Sequence, residues 1–215
     1  MGPASAGAAT ADTALRAQGL SFSRGGRRVF EGVGFELHAG QLLQVLGANG
    51  SGKTSLLRVL GGLLPADEGE LCWGGEPVRS GEPEFLQAVA YLGHANGIDA
   101  DLSAAENLRF AARMAGVDDS PARVTDALRA MGLDPASRAP VRTLSQGQRR
   151  RVALARLALL RRTLWLLDEP VSSLDAASGE RFFAQLADHL RQGGMAVVAT
   201  HELLPGASQT LQLQG

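Results

Sequence analysis

Gly47-Ala48-Asn49-Gly50-Ser51-Gly52-Lys53-Thr54 fits the pattern G-x-x-x-x-G-K-[ST] at every fixed position. The apolar run Gln41-Leu42-Leu43-Gln44-Val45-Leu46 before it reads as a buried strand, and Ser55-Leu56-Leu57-Arg58-Val59-Leu60 after it reads as a helix. In that context the glycines let the backbone curl so that successive N–H groups point inward, and the new helix adds its positive end. The loop is a nest for polyphosphate, with Gly47, Ala48, Asn49, Gly50, Ser51 and Gly52 around the phosphates. Lys53 is expected to reach the β- and γ-phosphates and the Thr54 hydroxyl to hold Mg²⁺. An ordinary glycine-rich turn would leave the Lys-Thr pair without a purpose. The expected ligands are therefore ATP or a similar triphosphate, with Mg²⁺.

Working back from this loop, Leu15 to Phe22 and Val29 to Leu37 read as two strands joined by the turn-prone Arg24-Gly25-Gly26. Phe22 lies where an aromatic ring could stack on adenine, and core packing is an equally good use for it. Working forward, Gly69 to Trp73 and Ala88 to Leu92 read as strands. From about 103 to 160 the spacing turns helical, with Leu108, Ala111, Ala112 and Ala115 in one segment and Val124, Leu128 and Met131 in the next. The pattern is an all-helical insertion in an α/β domain.

The insertion ends in Leu144-Ser145-Gln146-Gly147-Gln148. Ser145 and Gln148 are spaced as a capping box, and Gly147 permits a close backbone approach at the helix start, which makes either a well-capped structural helix or a second anion site. The following Arg149-Arg150-Arg151 reads as a solvated helix face. Leu164-Trp165-Leu166-Leu167-Asp168-Glu169-Pro170 is a buried strand that delivers two carboxylates at its C-terminal end, where ligands gather in parallel sheets. Asp168 is expected to bind Mg²⁺, directly or through water, and Glu169 to polarise an attacking water. Ser172-Ser173-Leu174-Asp175 opens a helix over 176–192. Met195 to Ala199 is one more core strand, ending at Thr200-His201, where the imidazole could bond the γ-phosphate or simply lie on the surface.

Composition narrows the function classes. With 21 basic and 22 acidic residues the net charge is −1, which offers no electrostatic footprint for nucleic acid. The lone Cys72 has no partner for an internal disulfide, and the stretch Val152 to Leu160, apolar but for Arg156, is too short to span a bilayer. The small-residue-rich start, residues 1–13, reads as a disordered tail rather than a signal peptide.

A P-loop, a helical insertion closed by Leu-Ser-x-Gly-Gln, an Asp-Glu strand, Ser-Leu-Asp and a late His occur here in the order found in ABC ATPases, which the chain resembles from about Leu15 onward. The resemblance implies a P-loop α/β domain over 14–215, with a RecA-like core, an antiparallel β subdomain and an inserted helical subdomain at about 103–160. It also implies a head-to-tail homodimer formed on ATP binding. Leu144, Ser145, Gln146, Gly147 and Gln148 would act on the partner's nucleotide, and Asp175 would link the two sites. One copy of each motif and no repeat mean that two chains complete a site, and an ABC transport ATPase with no membrane span would dock on a separate permease.

More narrowly, Tyr91-Leu92-Gly93-His94 with Leu102-Ser103-Ala104-Ala105-Glu106-Asn107-Leu108 is similar to the coupling loop of the ATPases of bacterial cytochrome c maturation, the haem exporter ATPases. Those proteins carry histidine, as His94 here, where most ABC ATPases have glutamine. Gln146 stands where glycine is common. The implied setting is the cytoplasmic face of the inner membrane, beside a permease of the cytochrome c maturation complex. No haem site is expected on this chain, because nothing in it resembles Cys-x-x-Cys-His. ATPases of lipid, drug or peptide exporters would share the same motifs, and a soluble non-transport ABC ATPase is a more distant alternative.

Overall fold

The computed structural model describes residues 14–213, so the expected tail at 1–13 lies outside the described residues. In chain order come β1 (Ala14–Arg24), β2 (Arg27–His38), β3 (Leu42–Leu46), α1 (Lys53–Leu60), β4 (Glu68–Trp73) and β5 (Glu76–Pro77). Next are α2 (Pro83–Ala88), β6 (Val89–Leu92), α3 (Ala104–Met114), α4 (Pro121–Ala130) and, after one 3₁₀ turn at Val141–Thr143, α5 (Gln146–Leu160). The chain closes with β7 (Leu164–Asp168), α6 (Ala176–Arg191), β8 (Met195–Ala199) and β9 (Gln209–Gln212).

β1 and β2 form an antiparallel hairpin through Gly25-Gly26, both at positive φ (58° and 76°), the conformation that a tight two-residue hairpin turn requires. This sheet runs β2-β1-β4-β5, while the second is wholly parallel in the order β6-β7-β8-β3-β9. The three central strands of the parallel sheet, β3, β7 and β8, are buried on both faces, so they read as nearly continuous apolar runs rather than as alternation.

Period-2 geometry nevertheless sorts their side chains into two cores. Leu43, Val45, Leu164, Leu166, Val197 and Ala199 point towards α1 and the antiparallel sheet. Leu42, Trp165, Leu167, Ala196 and Val198 point towards the helices, where they meet Leu108, Leu128, Leu154 and Phe182. The parallel sheet is thus a wall between two packed layers, and neither layer closes without it.

The helical segment starts with a capping box at Ser103 and Glu106, and a second opens α5 at Ser145 and Gln148, as its spacing predicts. Three elements escape pattern reading. β5 is two residues long, α2 is six, and β9 (Gln-Thr-Leu-Gln) has one apolar residue because it is an edge strand with only β3 beside it. Cys72 is free and buried, and burial followed by the neighbouring Glu70 carboxylate pushes its thiol above the ordinary value.

Candidate active site

The register of the parallel sheet decides where the motifs meet. Val45 lies opposite Ala199, and Ala199 opposite Asp168, so the loops after β3, β7 and β8 all leave from one edge. A cleft of about 520 Å³ opens there, lined by Asn49, Gly50, Gly52, Lys53, Thr54 and Ser55 from the P-loop, and by Asp168 and Glu169. His94 joins the carboxylate side because β6 pairs with β7, Leu92 against Leu167. Arg24 and Val29 enter from the hairpin.

α1 starts on Gly52 at φ 95°, with no side-chain cap, so its first N–H groups face the cleft without a protein acceptor of the capping kind. A β-carbon on Gly52 would stand 2.6 Å from Val29 Cγ1. The hairpin therefore packs directly on the phosphate loop, and only glycine allows it. Lys53 is buried and its Nζ donates to the carbonyls of Gly47 at 2.7 Å and Ala48 at 3.1 Å, lashing the loop to its own helix and leaving one N–H for a ligand.

Thr54 Oγ1 donates to Asp168 Oδ2 at 2.6 Å, across 114 residues of sequence. A hydroxyl and a buried carboxylate in contact, beside a polyphosphate nest, are the hard oxygen donors that suit Mg²⁺, which takes few protein ligands and fills its shell with phosphate and water. No cluster of three or more His, Cys, Asp or Glu able to hold a metal occurs among the described residues, which excludes a zinc-type cage there.

Glu169 has φ 47°, a left-handed backbone that a non-glycine residue adopts only when its surroundings hold it. Its N–H donates to Ala199 O at 2.9 Å, and its carboxylate lies 3.2 Å from His201 Nδ1. His201, for which a γ-phosphate bond and a surface position were both open, thus sits beside the carboxylate with its ring largely exposed. The loop bearing His201 is pinned by Gln44, whose amide donates to Glu202 O and accepts from Leu204 N. A lone glutamine inside Leu42-Leu43-Gln44-Val45-Leu46 was the available signal for that role.

The arginine run is not a solvated face, and this corrects the sequence reading. Arg149 donates to the carbonyls of Val141, Leu144 and Arg142, and Arg151 to those of Met131 and Gly132. Arg150, 4% exposed, gives Nη2 to Asp168 O (2.7 Å) and Glu169 O (2.8 Å), Nη1 to Gly93 O (2.9 Å) and Asn96 Oδ1 (3.1 Å), and Nε to Pro170 O (3.1 Å). Burial depresses this guanidinium below its ordinary value, with Asp168 and Glu169 offsetting part of the effect. The charge survives because its hydrogen-bond capacity is filled.

Arg150 thereby ties α5 to the strand end that carries both carboxylates. The variant Arg150→Met strands these acceptors, and we expect a loss of roughly 3 kcal/mol, or about 6–12 °C in Tm for a chain of this size. A thermal melt checks this, and an unchanged Tm would refute the clamp.

Not every expected site residue reaches the cleft. None of Leu144 to Gln148 lines it; Ser145 and Gln146 are exposed at the start of α5. A β-carbon at Gly147 would lie 2.8 Å from Ser173 O, so the close approach that this glycine permits is first of all to its own chain. Asp175 caps α6 by accepting from Ser178 N at 2.8 Å, and hydrogen bonds from Ser178 hold its carboxyl below the usual range. Phe22, for which base stacking and packing were both open, is 8% exposed and stacks on Phe30 with centroids 5.9 Å apart. The irregular register between Ala17 and Leu20 moves the buried face of β1 from Leu15 and Ala17 to Leu20 and Phe22, and Phe22 does not line the cleft.

Residues 30–172 match the sequence pattern of the ABC transporter family. A cytochrome c biogenesis ATP-binding export protein, CcmA, of Cupriavidus necator is 68% identical over 93% of this chain and 87% of its own length. The protein of the same name from Nitrosospira multiformis is 47% identical over 90% of this chain and 96% of its own. Among solved structures, a putative ABC transporter ATP-binding protein of Pyrococcus furiosus superposes with TM-score 0.83 at 25% identity, covering 93% of this chain and 97% of that one. A dimeric ATP-binding cassette in a post-hydrolysis state with ADP and Pi shares the fold at TM-score 0.81 and 21% identity, over 93% and 94% of the two chains.

Proposed function

The chain belongs to the ABC transporter family, in the group of cytochrome c biogenesis ATP-binding export proteins, and we propose that it hydrolyses ATP to drive haem export or haem handling by a separate permease. The observation that carries the reading is the contact between Thr54 Oγ1 and Asp168 Oδ2 inside the P-loop cleft, with Glu169 on its wall. That arrangement has the parts of a phosphoryl-transfer site.

In this reading the phosphates lie on the N–H groups at the start of α1, and Lys53 neutralises charge on the β- and γ-oxygens. Thr54 and Asp168 would hold Mg²⁺, which would supply further charge neutralisation. Glu169 accepts a proton from water as the water oxygen bonds to the γ-phosphorus, and the bond from that phosphorus to the bridging oxygen of ADP breaks. The left-handed backbone at Glu169, held by its bond to Ala199 O, and the neighbouring His201 ring orient the carboxylate.

The exposed Ser145 and Gln146 and the adjoining Gly147 close over the nucleotide of a second copy, so ATP forms a head-to-tail homodimer with Asp175 at the joint. His94 links the carboxylate wall of the cleft to the coupling segment that follows β6.

No helix among the described residues is long and apolar enough to cross a membrane, so export requires a membrane partner. Phe110 (61% exposed) and Met114 (74% exposed) lie one turn apart on α3 and are the apolar anchors we assign to permease docking at the cytoplasmic face of the inner membrane.

Tagged Glu169→Gln protein with ATP, pulled down from detergent-solubilised membranes, should bring a multi-span permease and cytochrome-maturation proteins, and the further change Phe110→Asp with Met114→Asp should lower recovery about tenfold or more. An unrelated permease would discard the cytochrome assignment and keep the ATPase. Ribosomes or no membrane partner would discard transport.

A further inference from the structure

We propose that a cleft at the opposite edge of the parallel sheet is a second ligand site, which takes a small planar anion with its aromatic body inside and its acidic group on Arg161 and Arg181. The nucleotide cleft opens where β3 and β7 end, whereas this one opens where β7 and β8 begin, between α6 and the end of α5. β7, with five residues, sets the two about 16 Å apart. The second cleft holds about 500 Å³, within the roughly 300–1,000 Å³ of small-molecule sites.

Its lining combines a flat apolar body with unneutralised charge. Ala130, Ala158 and Ala184 leave the space between the helices open. Trp165, 2% exposed, and the His189 ring stacked on it, with centroids 4.0 Å and planes 6° apart, make a flat aromatic base. Burial holds His189 below its ordinary value, so that ring is neutral at pH 7. Trp165 and Gln185 each keep a buried polar atom without a partner among the described residues, the indole N–H and the amide oxygen, an uncommon cost in a folded interior.

The charge is arginine. Arg161 and Arg181 are exposed and make no hydrogen bond or ion pair among the described residues, and Arg162 gives Nη1 to Gln87 O at 2.6 Å. The acid of the lining, Asp188, is taken by Arg191. A helix dipole favours cations at the end of α5 but not Arg181, near the start of α6. Guanidinium forks bind carboxylate, sulfonate or phosphate through paired N–H groups, and their planes cover an aromatic ring.

The test titrates the full chain with anilinonaphthalene sulfonate, read by energy transfer from tryptophan, and with the uncharged N-phenylnaphthylamine as control. We expect one saturable site that ATP with Mg²⁺ does not displace, about tenfold tighter for the sulfonate than for the uncharged probe. Arg161→Glu with Arg181→Glu should weaken the sulfonate about tenfold or more and leave the uncharged probe within about twofold. Trp73→Phe should keep the transfer, because Trp73 lies in β4 of the other sheet and Trp165 remains as donor.

Sulfonate binding unchanged in the double arginine variant, or equal affinity for the two probes in wild type, would overturn the proposal. Displacement by ATP would put the probe in the nucleotide cleft, and loss of transfer in Trp73→Phe would put it by the antiparallel sheet; either result also overturns it.

Discussion

Glu169→Gln slows ATP turnover by about 10²-fold or more while ATP stays bound, the scale for losing a general base. Glutamine keeps the size and hydrogen-bonding reach of the side chain but cannot take the proton of the attacking water. The left-handed backbone at Glu169 and its bond to Ala199 O belong to the main chain, so they survive the change. Asp168, Thr54 and Lys53 are untouched, and nucleotide affinity should therefore hold. The trapped state accumulates the closed dimer, which gel filtration with and without ATP detects. Single-turnover hydrolysis at the wild-type rate would show that another group accepts the proton.

Lys53→Ala acts one step earlier. The variant removes the cation assigned above to the phosphates and also the two bonds to the carbonyls of Gly47 and Ala48 that hold the loop closed. A charged hydrogen bond to phosphate is worth up to roughly 3 kcal/mol, so ATP affinity should fall about 10²-fold and hydrolysis should be lost with it. Calorimetry with ATP reads the first effect and phosphate release the second. The two variants separate binding from chemistry: Lys53→Ala fails at both, and Glu169→Gln fails only at turnover. Binding of ATP by Lys53→Ala at wild-type affinity would remove the P-loop from its assigned role.

The features legible in the sequence share one property: they are local. The glycines, lysine and threonine of the P-loop are consecutive, and the capping box of α5 spans four positions, so spacing alone describes them. Apolar runs of five residues between turn signals reveal β3, β7 and β8. Local patterns fail where a side chain's partners are distant. Arg149-Arg150-Arg151 looks like a wet helix face, yet its bonds go to carbonyls brought in by the 3₁₀ turn, by the loop after β6, by the end of β7 and by the end of α4. β9 is invisible for a related reason, since its stability comes from the ladder with β3 and not from its own four residues.

By itself, then, the sequence determined the phosphate-binding chemistry, the two carboxylates, the order of motifs and the family they resemble, because each is written in neighbouring residues. Only the tertiary structure decided that Thr54 touches Asp168, that His201 stands beside Glu169, that Arg150 binds α5 to the end of β7, and that Phe22 is core while Arg24 faces the cleft. Those facts depend on strand register and on irregularities such as the one between Ala17 and Leu20. A shift of one residue exchanges the two faces of a strand, and packing across the whole domain selects which face is buried.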